Sequence, residues 1–189
     1  MEGKIIIISA PSGCGKSTII SEIQKRGRVD MHFSVSATNR KPRTGETHGV
    51  NYYFLSDEEF RSAIGEDAFV EYEEVYPGRF YGTLKSEVER RCAAGETVVL
   101  DIDVKGGLRV KEMYGDRALS IFIQPPSVDE LRRRLESRAT DSAEAIDQRV
   151  NKAEYELSFA PRYDVQVVND DLEKAVDETE RVILDFIGR

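Results

Sequence analysis

The sequence predicts an α/β fold in which a parallel sheet carries helices on both faces. Three observations predict it. Short apolar runs alternate with helical patterns along most of the chain. The four consecutive isoleucines Ile5 to Ile8 have the composition of a buried strand, and a small-residue loop and a helical pattern follow them. At 189 residues the chain suits one α/β domain with a proper core and a mobile insertion.

The strand-like runs fall at residues 4–9, 33–36, 97–102, 118–123 and 164–168. Between them lie helical patterns. Residues 16–25 follow the first loop, 84–94 end at Gly95, and 104–113 end near Gly115. Residues 128–138 follow Ser127 with Glu130 in capping-box spacing, 143–159 stop before Pro161, and 172–187 close the chain. Residues 37–81 break this rhythm. They hold a polar, turn-rich stretch, a short helix after Ser56 with Glu59 in capping-box spacing, and a strand pair, 69–76 and 79–81, around Pro77 and Gly78. The expected organisation is a core of residues 1–36, 83–125 and 150–189, an insertion at 37–82 facing the first loop across a cleft, and a lid at 126–149.

The first loop carries the strongest chemical signal. Residues 9–18 read SAPSGCGKST. Triphosphate binding needs a concave ring of backbone N–H donors, and Gly13 and Gly15 remove the Cβ atoms that would fill it. The helix N-terminus adds partial positive charge, the Lys16 ammonium spans two phosphates, and the Ser17 hydroxyl is placed to ligate Mg²⁺. This is a P-loop, with Ala10, Pro11, Ser12, Gly13, Cys14, Gly15, Lys16, Ser17 and Thr18 as its triphosphate-binding residues. It departs from the usual pattern at Ala10, where Gly is customary and where Ala accepts a positive φ less readily. Cys14 reads as a small side chain tolerated where only the backbone is needed. A dinucleotide fingerprint fits less well, because its third Gly falls at Thr18.

Composition narrows the partners. A net charge of −8 argues against a general nucleic-acid binder, which neutralises phosphates with a basic face. A small anionic ligand needs only a local cationic cluster, and 18 of the 27 basic residues are Arg. No run approaches the ~20 apolar residues of a membrane span. No signal-peptide pattern fits, so a soluble, cytoplasmic protein is expected. Cys14 and Cys92 make no disulfide framework, and His32 and His48 have no metal-ligand spacing.

The passages SVSATNRKPRTGETHGVNYYF at 34–54, FVEYEEVYPGRFYGT at 69–83, LDIDVKG at 100–106 and VVND at 167–170 resemble guanylate kinases. With the P-loop they cover almost the whole chain in order. The resemblance implies transfer of the γ-phosphoryl group of ATP to GMP, with Mg²⁺. Arg40 and Arg43, stiffened by Pro42, are chemically suited to clamp one phosphate, with the phenols of Tyr52 and Tyr81 completing the donor set. In the family these positions hold the GMP phosphate. Guanine presents N1–H and an exocyclic amine side by side, and one carboxylate accepts both. The resemblance assigns that carboxylate to Glu71, nearby hydroxyls to Ser36 and Thr83, and an approach to the guanine amine to Asp103.

Asp101 and Asp103 lie two apart at the end of an apolar run, a spacing that puts both on one sheet face. Asp101 resembles the carboxylate that holds Mg²⁺ through water. Arg134 and Arg138, four apart on a helical face, and Arg149 match the lid arginines that reach the ATP phosphates. Ala139 follows Arg138 where the family usually has Gly. Asn169 matches a position near adenine. Phosphoryl transfer between such groups needs alignment and charge neutralisation rather than a general base, in keeping with the lack of a histidine in the P-loop, in residues 100–106 and in the lid pattern. Three other readings compete: a kinase for another small phosphorylated acceptor, a non-catalytic phosphopeptide-binding module of similar fold, and a P-loop GTPase. The intact Lys16, Ser17 and lid arginines, together with Glu71, favour the kinase acting on GMP and ATP.

Overall fold

A computed structural model of the protein describes residues 3–137 and 142–188. Arg138 and Ala139 lie outside the described residues. The central sheet has five strands: β1 (Ile5–Ser9), β2 (Met31–Phe33), β7 (Thr97–Asp101), β8 (Ala118–Gln124) and β9 (Val165–Val168). They stand in the order β2-β7-β1-β8-β9, and every pairing is parallel. Successive side chains of β1 point to opposite faces, so its isoleucines divide between two cores. Ile6 and Ile8 join a cluster with Ile19, Ile23, Leu131 and Ile183, whereas Ile5 and Ile7 pack with Val70, Val88 and Val110. All four are fully buried.

Helices cover both faces. α1 (Lys16–Arg26), α5 (Val128–Ser137), α6 (Ala143–Leu157) and α7 (Leu172–Ile187) supply the first core, and α3 (Lys85–Ala93) and α4 (Val104–Tyr114) the second. Arg132 ties α5 to α6 through Asp147 at 2.7 Å. The remaining elements form a second sheet, β4-β3-β6-β5, from β3 (Ala37–Thr38), β4 (Tyr53–Phe54), β5 (Phe69–Tyr76) and β6 (Arg79–Leu84). Across it lies α2 (Asp57–Gly65), whose Phe60 stacks on Phe69 and Phe80. The capping box at Ser56 is formed as its spacing predicts: Glu59 N–H donates to the Ser56 hydroxyl and Ser56 N–H to the Glu59 carboxylate.

Five elements differ from the sequence expectation. The second core strand occupies Met31–Phe33 rather than residues 33–36, because from Ser36 onward the backbone pairs with β4 and β6 instead. The two-residue strands β3 and β4 were not foreseen, being too short to show a period. β6 runs on to Leu84, past the boundary set at 82. α6 is continuous from Ala143 to Leu157, so the boundary at 149 falls inside a helix; the chain then turns through a short 3₁₀ segment at Ala160–Arg162.

Candidate active site

The P-loop leaves the C-terminal end of β1, from which the chain runs to β2 on one side of the sheet, while β7 connects to β8 on the other. That switch point is where open α/β sheets bind ligands. Gly13 (φ 92°) and Gly15 (φ 86°) adopt the left-handed conformation that the loop requires. A Cβ on Gly13 would come within 3.0 Å of the Leu131 and Leu135 side chains, and one on Gly15 would collide with the Asn169 amide. Ala10 is not among the residues with positive φ, so its departure from Gly carries no backbone cost. Gly15 caps α1 without a side-chain hydrogen bond, which leaves the first-turn N–H groups to an anion.

The loop borders a cleft of about 440 Å³ lined by residues 10–18 together with Asp101, Ile102, Asp103, Lys152 and Glu156. Lys16 pairs across it with Asp101, the last residue of β7. Cys14 is not a bystander in the loop: its side chain is 1% exposed and packs in the core with Ile19 and Leu131, and burial pushes its thiol up to about 12. Such a thiol is unreactive. Its carbonyl accepts from the buried Asn169 amide at 2.8 Å, and Arg134 of α5 donates to the Asn169 carbonyl at 2.9 Å and to Glu130 at 2.9 Å. Asn169 thus braces the back of the phosphate loop and joins it to Arg134. Arg149 lies half-buried on α6.

Asp101 and Asp103 do not share a strand face. β7 stops at Asp101, and Asp103 is the N-cap of α4, accepting from Lys105 N–H at 2.8 Å and Gly106 N–H at 3.1 Å. The two-residue spacing suggested continued strand geometry; the capping interaction turns the chain instead. The Ser17 hydroxyl and the Asp101 carboxylate supply two oxygen donors to the cleft, and no cluster of three or more His, Cys, Asp or Glu side chains suited to a metal occurs among the described residues. That sparse oxygen set fits Mg²⁺, which keeps several waters and takes its remaining ligands from phosphates.

The second sheet presents a different surface. Glu71 of β5 is 7% exposed and accepts from the Thr83 hydroxyl at 2.7 Å. Burial, with smaller contributions from Asp103 and Glu73, pushes its carboxyl up to about 7. A Cβ on Gly106, in the first turn of α4, would meet both Asp103 and Glu71, so the Glu71 side chain stands against the helix end that borders the phosphate cleft. Glu74, three residues on, accepts from Gly78 N–H and shapes the hairpin instead. Ser36 is half-buried between the two sheets, and its carbonyl accepts from Tyr53 N–H.

Arg40 lies against the rings of Tyr52 and Phe54, with centroids 5.1 and 5.5 Å away. Tyr52 and Tyr81 meet edge to face at 5.9 Å. Both terminal nitrogens of the Arg40 guanidinium bind Glu46, at 2.6 and 2.8 Å, while Arg43 N–H donates to the same carboxylate at 2.7 Å. Those contacts hold Glu46 down at about 2. Sequence reasoning missed Glu46, which nothing but tertiary contact distinguishes from other surface glutamates. It also missed Lys152 and Glu156, which helical spacing from Arg149 could have suggested.

A P-loop at the switch point of a parallel sheet, facing a separate cluster of Arg, Tyr and buried carboxylate, defines a P-loop nucleotide phosphotransferase. Comparison with known proteins narrows this class. The family model for guanylate kinase matches residues 2–185. A guanylate kinase of Bacteroides fragilis is 57% identical over 187 residues, spanning 99% of this chain and 91% of that protein. One from Porphyromonas gingivalis is 54% identical, spanning 98% and 99%. The crystal structure of guanylate kinase from Anaplasma phagocytophilum superposes with a TM-score of 0.70 at 32% identity, covering 97% of this chain and 86% of that one. The chain belongs to the guanylate kinase family.

Proposed function

We infer that the protein transfers the γ-phosphoryl group of ATP to GMP, giving ADP and GDP, with the P-loop cleft holding the donor and the second sheet the acceptor. The observation that carries this reading is the meeting of the two halves at α4. Asp103 lines the phosphate cleft, and a Cβ on Gly106, three residues further on, would meet both Asp103 and the buried Glu71. Membership of the guanylate kinase family supports the same assignment and disfavours another phosphorylated acceptor or a phosphopeptide.

In this reading the free N–H groups from Ala10 to Thr18 cradle the ATP phosphates, and Lys16 leaves Asp101 for them. Ser17 and, through water, Asp101 would hold Mg²⁺, whose charge offsets that of the phosphates. Arg134, Arg138 and Arg149 approach the same oxygens from the lid, with Asn169 beside the adenine end. Arg40 and Arg43, with Tyr52 and Tyr81, bind the GMP phosphate, displacing Glu46 from the Arg40 fork. Ser36, Glu71, Thr83 and Asp103 read guanine: ionised Glu71 accepts its two adjacent donors while Thr83 fixes the carboxylate's orientation. Adenine lacks that donor pair and would leave Glu71 buried and unpaired, a strong source of discrimination.

The attacking GMP phosphate oxygen is already anionic, so the protein supplies alignment, charge stabilisation and exclusion of water rather than a base. The insertion at 37–82 and the lid at 126–149 are the parts that would close over the substrates. Work on small nucleotides fits a cytoplasmic protein, and no helix among the described residues is long and apolar enough to cross a membrane. The test is a coupled assay with ATP and Mg²⁺ against GMP, AMP, CMP, UMP and dTMP. GMP should be the preferred acceptor, and Lys16→Met should lower turnover at least about a hundredfold with the fold intact; preference for another acceptor would overturn the reading.

A further inference from the structure

The wall between the two proposed nucleotide sites carries more negative than positive side chains. The P-loop cleft and a smaller cavity of about 110 Å³ toward the insertion have three lining residues in common: Asp103, Lys152 and Glu156. The smaller cavity is completed by Glu73 of β5, Lys105 and Val104 of α4, and Tyr155 of α6. An acceptor phosphate moving toward the donor's γ-phosphate must therefore pass a boundary where two of the three shared side chains are carboxylates. Lys152 is the one cation that lines both cavities among the described residues.

Its position on α6 aims it at that boundary. Arg149, Lys152 and Glu156 follow one another at intervals of three and four, so they lie along one face of the helix. The Lys152 Nζ stands 3.6 Å from Glu156 Oε1, a loose pair in which the lysine is 69% exposed and the glutamate only 12%. An exposed i,i+4 pair of this kind is held weakly. The Glu156 carboxyl is raised by burial, with Asp103 adding to the effect and Lys152 and Lys16 opposing it, as expected of a carboxylate beside other acids. Lys105, the other cation of the smaller cavity, lies over the Tyr155 ring at 5.3 Å and does not border the P-loop cleft.

We propose that Lys152 is a further catalytic cation of this enzyme: with both nucleotides bound, its ammonium leaves Glu156 and bridges the transferring phosphoryl group and the acceptor phosphate. This rests on the assignment of the P-loop cleft to ATP and the second sheet to GMP. A bridging cation stabilises charge where the two phosphates approach and adds little to the binding of either nucleotide alone. Glu156 serves as its resting partner on α6.

The test is steady-state kinetics of Lys152→Gln and Lys152→Arg, with binding of an adenosine–guanosine bisubstrate joined 5′ to 5′ through five phosphates. Lys152→Gln should lower kcat by about tenfold to a hundredfold while KM for ATP and for GMP each change less than about threefold. It should weaken the bisubstrate at least about tenfold, and Lys152→Arg should recover most of both losses. Unchanged kcat, or a loss confined to the KM of one nucleotide, would overturn the proposal. Loss of thermal stability in parallel with activity would also overturn it by assigning Lys152 a structural role. Normal turnover in Lys152→Gln with an inactive Lys16→Met sinks only Lys152; an active Lys16→Met sinks the site assignment itself.

Discussion

A buried carboxyl raised to about 7 makes Glu71 a residue whose protonation would couple the proposed guanine recognition to stability. In the proposed role the ionised form accepts both guanine donors, so GMP affinity should rise as pH increases from about 5.5 to 8 and flatten above that. Glu71→Gln should bind GMP weakly and lose this dependence, which isothermal titration across the same range would show; a variant with wild-type GMP affinity would remove Glu71 from guanine recognition. Stability runs the other way. The native state holds the Glu71 proton more tightly than the unfolded chain, so the resulting stabilisation is complete below the ordinary pKa of 4.5 and is lost as pH rises through 7. Urea unfolding should therefore find Glu71→Gln more stable than wild type at pH 8, by on the order of 1–3 kcal/mol, and close to it at pH 4.5. The recognition carboxylate thus costs the empty protein stability at neutral pH.

Elements are held in register by polar side chains that no hydrophobic period reveals. Glu87 of α3 is 3% exposed and accepts from Tyr53 of β4 at 3.0 Å, from Arg90 at 2.9 Å and from Arg91 at 2.6 Å. It therefore fastens the insertion to the core and keeps its carboxyl below the usual range, against the opposing effect of burial. Its contribution is present above the ordinary glutamate pKa and lost as pH falls below it. Removing the carboxylate with Glu87→Ala leaves buried donors unpaired and should cost about 3–5 kcal/mol, whereas Tyr53→Phe should cost about 1 kcal/mol; chemical denaturation at pH 7 measures both. At the other end of the site, Asn169→Ala strips the Cys14 carbonyl of its partner. A loss of about 1–3 kcal/mol and a raised KM for ATP are expected, with KM for GMP little changed.

Part of this organisation is legible in the sequence. The alternation of Ile5 to Ile8 with a glycine loop and helical pattern located β1, the P-loop and α1, because each is set by local composition. Ser56 and Glu59 announced their helix through a contact four residues long. By contrast β3 and β4 are two residues each, held by pairing with distant strands, and Asp103 left the strand because its side chain caps α4. Glu46 has no local signature at all, since its role arises from tertiary contacts with Arg40 and Arg43 that no period announces.

At the scale of the molecule, the five-stranded parallel sheet carries the proposed donor site and the four-stranded sheet the proposed acceptor site, with Gly106 of α4 packed against Glu71. Two binding halves on separate sheets should stabilise the protein separately. ATP with Mg²⁺ at about a hundred times its Kd should add about 2.7 kcal/mol and raise Tm by roughly 5–10 °C. In Lys16→Met that shift should disappear while the shift caused by GMP persists; loss of both in differential scanning fluorimetry would mean the two halves are not independent. The sequence by itself determined the phosphate loop, the strand–helix alternation and the family's motifs, because these depend on residues within one turn or one strand of each other. The tertiary structure alone decided that Glu71 stands against the end of α4, that Glu46 occupies the Arg40 fork, and that Asn169 braces the P-loop. Those contacts join residues far apart in the chain, and their strength comes from burial that no single segment provides.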